Sequence, residues 1–342
     1  MADQPADAGA RGVCAVVVTY DDRWQYLEPT LEGVLSQAVV TRLVVVDNGA
    51  SPRVGERLAE VARRDARLAI VRHTENLGSA GGFRTGLEAA ATTSAGFVWT
   101  LDDDTRPEAG AAAALVEAWN GLAAAGDTPV RALLSQRWDT ARYRREAEWS
   151  VNAAFGVDLI QRATRVGRAV EGAAGSADTV IVRMAPWSGL FFERSRLEEV
   201  APPDSRLVLY EDDHDFTLRL TAGRGGIMLV PQSRLVTLQT SWQETTRSRG
   251  LLTPWLTTPD VRRAYYCARN RVYVERQRLV TNRVRYAINL AVFTTRVAVA
   301  GLITGSFANT RWFLAGVFDG WRGRLGPRSL PPQEKPSSPF TG

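Results

Sequence analysis

Lysine is almost absent. Lys335 is the only one in 342 residues, and it lies in a Pro- and Ser-rich tail. A Walker-type phosphate loop needs a lysine after its glycines, so that route to phosphate binding is closed. Cysteine is nearly as scarce: Cys14 and Cys267 stand far apart, Cys14 inside an apolar run. This excludes a disulfide scaffold, gives no sign of thiolate zinc or redox chemistry, and fits a reduced, cytoplasmic protein. The N-terminal "MADQPADAGARG" lacks the charged-then-apolar pattern of a secretory signal, so the protein is expected to stay where it is made. Internal repeats are missing too. So is G-x-G-x-x-G: the first apolar run is followed by "TYDDRWQY", without glycine, which sets aside a dinucleotide-binding oxidoreductase.

What is present is an alternation of short β-branched runs with helical patterns. "CAVVVT" (14–19), "RLVVV" (42–46), "RLAIV" (67–71) and "FVWTL" (97–101) predict strands. Segments such as "VGERLAEVARRD" and "GFRTGLEAAATT" between them carry helical spacing, so βαβ units and a mostly parallel α/β sheet with helices on both faces are expected. Later, "TVIVRMAPWSGLFFERS" and "GGIMLVPQ" predict further strands, and "YEDDHDFTLRLTAG" the polar start of a helix that Gly223 can end. The expected organisation is a loose N-terminus over 1–12, a first half over 13–122, a second half of the same domain over 123–258, a basic and apolar helical region over 259–325, and a loose tail over 326–342. In a parallel sheet the C-terminal strand ends share one edge, where such sheets bind ligands. Here those ends read "YDD", "DNGAS", "HTENLGSAGG" and "DDDTRP".

Three adjacent acids, Asp102, Asp103 and Asp104, repel one another unless something positive sits among them. A capping box from Thr105 to Glu108 and the dipole of the next helix account for one acid or two. A hard Mg²⁺ or Mn²⁺ ion, held by one or two carboxylates and completed by phosphate, accounts for the set. If the segment stays extended, Asp102 and Asp104 share a side as metal ligands and Asp103 points elsewhere. The glycines in "NLGSAGGFRTG", Gly78, Gly81 and Gly82, let a ligand approach the backbone closely, and Arg84 is either a phosphate contact or an exposed helical arginine. A second cluster, "EDDHD", sets Glu211, Asp212, Asp213 and Asp215 within five residues. Crowding raises the pKa of at least one carboxylate, as a general base requires, although acids stabilising the start of the helix are the plainer reading. Trp187 is either a flat platform for a ligand or a core residue, and Gly189 gives a ligand room.

Taken in order, "VVVTY", "VVVDNGAS", "ENLGSAGGFRTGL" and "WTLDDDTRP" resemble the nucleotide-sugar half of a family 2 glycosyltransferase with the GT-A fold. "WSGLFFERS", "YEDDHDFTLRL" and "RRAYYCARNR" are similar to the bacterial galactofuranosyl and rhamnosyl transferases within it, and the resemblance runs over roughly residues 13–325. It implies an inverting, metal-dependent transferase, with Thr19 and Asp47 on the nucleoside. Tyr20, Asn76, Gly78, Gly82, Arg84, Asp102 and Asp103 complete the donor set, and Asp102 to Asp104 carry the metal-binding D-x-D. The acidic helix supplies the base. Its family pattern Asp-Asp-x-Glu appears as Asp212, Asp213 and Asp215, with Asp213 as base, Asp212 in reserve, and Trp187, Gly189 and Asp215 on the acceptor side. Relatives carry a further metal-ligand histidine after the next strand. This chain reads "RLVTLQTSW", so either Gln239 or water fills the place or metal binding is weaker. UDP-galactofuranose is the favoured donor and dTDP-rhamnose the alternative; a non-catalytic nucleotide-sugar-binding protein and a nucleotidyl transferase are the rivals.

Arginines 262, 263, 269, 271, 276, 278, 283 and 285, with Tyr265, Tyr266 and Tyr273, form a basic helical region. Nucleic acid is discounted because "YAINLAVFTTRVAVAGLITG" follows. That run has the length of a membrane span but carries Arg296 near its middle, at roughly 2.5–3.5 kcal/mol on insertion scales. It reads either as an interfacial helix, peripheral on the cytoplasmic leaflet and close to a polyprenyl-pyrophosphate-linked glycan acceptor, or as a helix packed on the domain.

Overall fold

Runs of valine that are stiff at χ1 fit a pleated, two-sided core, and each of the four expected strands forms. In the computed structural model they are β1 (Val13–Asp21), β2 (Val40–Ala50), β3 (Leu68–His73) and β4 (Phe97–Asp102). Side chains along β1 alternate between two cores. Val13, Ala15 and Val17 enter the one capped by Trp24, Leu27 and Leu31 of α1 (Trp24–Leu35) and Val54 and Leu58 of α2 (Pro52–Arg64). Cys14, Val16 and Val18 enter the other, with Phe83 and Leu87 of α3 (Gly78–Ala91). Each fully buried large apolar side chain contributes roughly 1.5–3 kcal/mol, so both faces are strongly held. The structure describes residues 11–126, 129–137, 143, 151–158, 180–223, 225–239, 252–258 and 260–330. The start of the expected loose N-terminus, much of the 123–258 half and most of the 326–342 tail lie outside the described residues.

The nine-stranded sheet has the order β3-β2-β1-β4-β8-β6-β9-β5, with β7 also paired to β9. The remaining strands are β5 (Thr105–Pro107), β6 (Val130–Gln136), β7 (Ile181–Val182), β8 (Leu190–Glu193) and β9 (Gly226–Thr237). β3, β2, β1 and β4 run parallel, as expected. Beyond them the sheet is mixed rather than mostly parallel: β8 is antiparallel to β4 and β6, whereas β6 and β9 are parallel. β5 folds back after β4 and pairs antiparallel with β9, Thr105 opposite Thr237. Further helices are α4 (Ala111–Ala125), the short α5 (Arg196–Glu199), α6 (Asp212–Leu220), α7 (Thr253–Thr257), α8 (Val261–Val274), α9 (Arg283–Thr304) and α10 (Phe307–Arg322).

Two compact units result, and they do not follow chain order. The first comprises residues 1–149, 164–205 and 212–239; the second, 150–163, 206–211 and 240–342. The core of the second unit gathers Phe155, Leu256, Val272, Tyr286, Leu290, Phe293, Val297 and Phe313. Within it Asn270 Nδ2 donates to the carbonyls of Leu207, Leu209 and Tyr210 at 2.8–2.9 Å. Those bonds hold a loop in which Val208, Tyr210 and Glu211 all take positive φ, a conformation costing about 1–3 kcal/mol per residue.

Candidate active site

The cation among the three acids is an arginine from another element. Arg23, at the N-terminus of α1, donates from Nε to both oxygens of Asp103 at 2.9–3.0 Å. Its Nη2 reaches Asp103 at 2.9 Å and Asp104 at 3.1 Å, and its Nη1 donates to Gln239 Oε1 at 2.8 Å. The rings of Tyr20 and Tyr26 each lie 5.0 Å from the guanidinium. Burial works against the Arg23 charge, but the hydrogen bonds and charge of Asp103 outweigh it and raise its pKa. Burial also lifts Asp103, opposed by Arg23 and by Thr19, whose hydroxyl donates to Asp103 Oδ2 at 2.8 Å. The two-pronged geometry decides for a charged pair.

The segment is also not extended. It turns at Asp103 and Asp104 between β4 and β5, so the alternation argument for a shared side of Asp102 and Asp104 does not apply. Asp103 is 3 % exposed and works as the anchor of that turn, with its carbonyl accepting from Thr30 Oγ1 at 2.9 Å. Asp102 ends β4 with a side chain 37 % exposed, its Oδ2 3.5 Å from Arg137 Nη1. Burial of the rest of the group, then the charges of Asp104, Asp103 and Asp213, push its carboxyl up to about 7, with Arg137 opposing.

The second cluster is sorted by α6. Asp212 is buried, its Oδ2 accepting from Ser79 Oγ and from Trp187 Nε1, both at 2.8 Å. Burial and Asp213 push its carboxyl up to about 7 against those two donors. Asp215 is buried and paired with Arg219 at 3.0 Å. Asp213 is half-buried; its Oδ1 accepts from the amide of His214 at 2.8 Å. The Asp102 amide donates to Ser188 Oγ at 3.3 Å, and the neighbouring Trp187 bonds Asp212, so the end of β4 and the start of α6 meet at one short segment.

Other expected residues divide by position. Asp47 is buried, with Oδ1 on the amide of Ala50 and Oδ2 on Arg72 Nε, both at 2.9 Å. It lines a depression of about 490 Å³ together with Gly49, Ala50, Arg72 and His73. Tyr20 is 40 % exposed beside Arg23. Asn76 accepts from the amide of Gly78 at 2.8 Å and contacts Asn48, so both shape the turn into α3. A Cβ on Gly82 would lie 2.5 Å from Val18, so this glycine serves the close approach of α3 to β1. Arg84 pairs with Glu88 at 2.9 Å, one helical turn on. Trp187 is a core residue rather than a platform: it is buried and stacks on Phe83 with centroids 4.6 Å apart. Gly189 has φ +95°, and a Cβ there would sit 3.0 Å from Ser135 and Leu235, so it meets protein where room for a ligand was expected.

No group of three or more His, Cys, Asp or Glu gathers in metal-binding geometry among the described residues. The donor set still fits a cation that takes most of its shell from phosphate and water. Asp102 offers an accessible carboxylate, and Asp104 gives Oδ2 to Arg23 while Oδ1 meets only the weak, 3.4 Å contact of Thr105 Oγ1. Sequence reasoning missed Arg23. Its signal was present in the cation four residues after Thr19, but nothing in the spacing ties it to acids 80 positions away.

Residues 14–170 match the Glycosyl transferase family 2 model. Over 96 residues the chain is 40 % identical to the galactofuranosyltransferase GlfT1 of Mycolicibacterium smegmatis, a match that takes in 28 % of this chain and 30 % of that one. The chain thus spans under a third of that curated relative. Among solved structures, the crystal structure of GalNAc-T7 with UDP, GalNAc and Mn²⁺ superposes with a TM-score of 0.54 at 13 % identity, over 77 % of this chain and 47 % of that one. The mannosyltransferase PcManGT from Pyrobaculum calidifontis, in complex with GDP-Man and Mn²⁺, gives 0.50 at 14 % identity, over 92 % and 88 %. Together with the mixed sheet, these show a GT-A-like fold, with similarity to family 2 glycosyltransferases over residues 14–170.

Proposed function

We propose that this protein is an inverting glycosyltransferase that moves a sugar from a nucleotide diphosphate donor to a hydroxyl of a lipid-linked glycan on the cytoplasmic face of the membrane. The observation that carries the reading is that the end of β4 and the start of α6 meet at adjacent residues: the Asp102 amide donates to Ser188 Oγ at 3.3 Å and Trp187 Nε1 donates to Asp212 at 2.8 Å, with Asp213 next in the chain. Asp213 takes the proton of the acceptor hydroxyl as that oxygen bonds to the anomeric carbon. The bond from that carbon to the diphosphate oxygen breaks on the opposite side, and the nucleoside diphosphate departs. Asp212, fixed by Ser79 and Trp187, holds the start of α6 so that Asp213 keeps its aim. A divalent cation, Mg²⁺ or Mn²⁺, held by Asp102 and Asp104 would neutralise charge on the departing diphosphate. Tyr20 and Asp47 line the nucleoside side, with Thr19, fully buried and bonded to Asp103, behind them. The match to GlfT1 favours UDP-galactofuranose over dTDP-rhamnose.

A second reading, nucleotide-sugar binding without transfer, is favoured by one observation: Arg23 occupies an oxygen of Asp104 and the side-chain oxygen of Gln239. Thermal stabilisation by a panel of nucleotide sugars, with and without Mn²⁺, and a transfer assay on the same samples separate the two. Stabilisation by a UDP sugar that is lost in Asp102→Ala, with release of UDP only when acceptor is added, supports transfer. Stabilisation with no release, whatever the acceptor, supports the binding protein. A flat panel overturns both.

A further inference from the structure

The second unit carries a surface that the transfer reaction leaves unused. Helix α9 turns its inner face, Tyr286, Leu290, Phe293 and Val297, into the core of that unit. Asn289 Nδ2 on the same face donates to the Asn152 carbonyl at 2.9 Å and to Asp158 at 3.2 Å. A helix so tied by one face is not a lone span. Its opposite face remains apolar and uncovered, however: Val284, Ile288, Val299 and Leu302 recur at helical spacing, and only 28 % of its most apolar window is buried. Beyond the turn at Gly305, α10 continues the pattern with Phe307, Leu314 and Phe318. At the tip three large apolar side chains stand out, Leu302 at 66 %, Ile303 at 80 % and Phe307 at 62 % exposed.

We infer that this helical hairpin is a lipid-insertion element, its tip entering the headgroup and acyl boundary of an anionic bilayer. The charges argue for that occupant. From Arg283 to Phe318 there is no Asp or Glu, while Arg283, Arg296 and Arg311 are cations; Arg285 is paired with Asp158 within the unit. Arg296 and Arg311 are exposed, one on each helix, at about 9 Å from Leu302 and about 6 Å from Phe307 along the axes, given roughly 1.5 Å per residue. Interfacial helices bury their apolar face by about 5–10 Å, so both guanidinium groups would sit at lipid phosphate when the tip is immersed. A second copy of the chain fits less well. A symmetric pairing through this face would set cations against cations, with no acid to relieve them.

The inference goes beyond the transfer reaction and does not rest on it, because its test needs no donor. The full chain is sedimented with phosphatidylglycerol-containing vesicles and with pure phosphatidylcholine vesicles, alongside Ile303→Asp/Phe307→Asp and Arg296→Glu/Arg311→Glu. All four substituted side chains are on the surface, and unchanged melting curves check that the variants fold. Wild type is expected to bind anionic vesicles on the order of tenfold better than neutral ones. The apolar double variant should bind neither, and the charge variant should lose the preference. Binding that survives Ile303→Asp/Phe307→Asp overturns the inference. So does a wild type that ignores vesicles but is an oligomer made monomeric by the same pair of changes, which would make this face a contact between copies.

Discussion

The two acidic clusters of the first unit solve the same problem in different ways. At the β4 end three aspartates crowd one turn, and the repulsion is relieved by a cation from α1: Arg23 takes both oxygens of Asp103 and one of Asp104. At the start of α6 the acids are dealt with one by one. The helix spreads the acids over its surface, so Asp212 is buried against Trp187 and Ser79, Asp215 is paired with Arg219, and Asp213 is left half-buried at the edge. In each cluster most carboxylates are held by the fold, and Asp102 and Asp213 are the ones to which the proposed reaction assigns a role.

That division is tested most severely at Asp213. Asp213→Ala should lower transfer by roughly 10²–10⁴-fold while nucleotide affinity stays at the wild-type value, read by turnover and by titration calorimetry. A variant that keeps its rate would move the base elsewhere. Next comes Arg23→Ala, which leaves Asp103 buried without its partner and should cost about 3–5 kcal/mol in urea unfolding. Asp213→Ala should barely move that midpoint, so the two clusters would separate cleanly into folding and rate.

A smaller effect is expected from Trp187→Phe, which keeps the stacking on Phe83 but removes the donor to Asp212, at about 1–3 kcal/mol of stability. pH supplies a finer comparison. Asp212 is raised to about 7 in the folded chain, above the ordinary carboxylate value of about 3.9 when unfolded. Between these values the native state holds more protons than the unfolded one, so its contribution to stability falls as pH rises from about 4 to about 7 and is flat above. In Asp212→Asn that part of the slope should vanish from unfolding curves taken across the window. Smallest of all, Arg84→Ala should change stability by under about 0.5 kcal/mol, since an exposed i,i+4 pair with Glu88 is all it removes.

The four parallel strands were legible because valine-rich runs with turn residues between them encode themselves locally. The sequence also marked the first acid cluster as lying at the ligand edge and the second as crowded at the start of a helix. It misassigned the inside of the first, since alternation across Asp102 to Asp104 assumed an extended chain where β4 in fact turns back to pair with β9 through β5. Trp187 stayed open between sugar platform and core, because an aromatic side chain is read the same way until its neighbours Phe83 and Asp212 are known. The apolar run over 286–305 stayed open for the same reason: one face of α9 packs inward and the other does not.

Composition and spacing alone determined the βαβ rhythm, the exclusion of lysine-dependent phosphate loops and thiol chemistry, and the gathering of acids at strand ends. These depend on nearest-neighbour conformational preference and on the two- and 3.6-residue periods of strands and helices. Tertiary structure decided which acids hold the fold and which are left for a substrate. That choice turns on pairings across large sequence separations, Arg23 with Asp103, Ser79 and Trp187 with Asp212, and a charge-assisted bond between distant residues leaves no periodic trace in the chain that makes it.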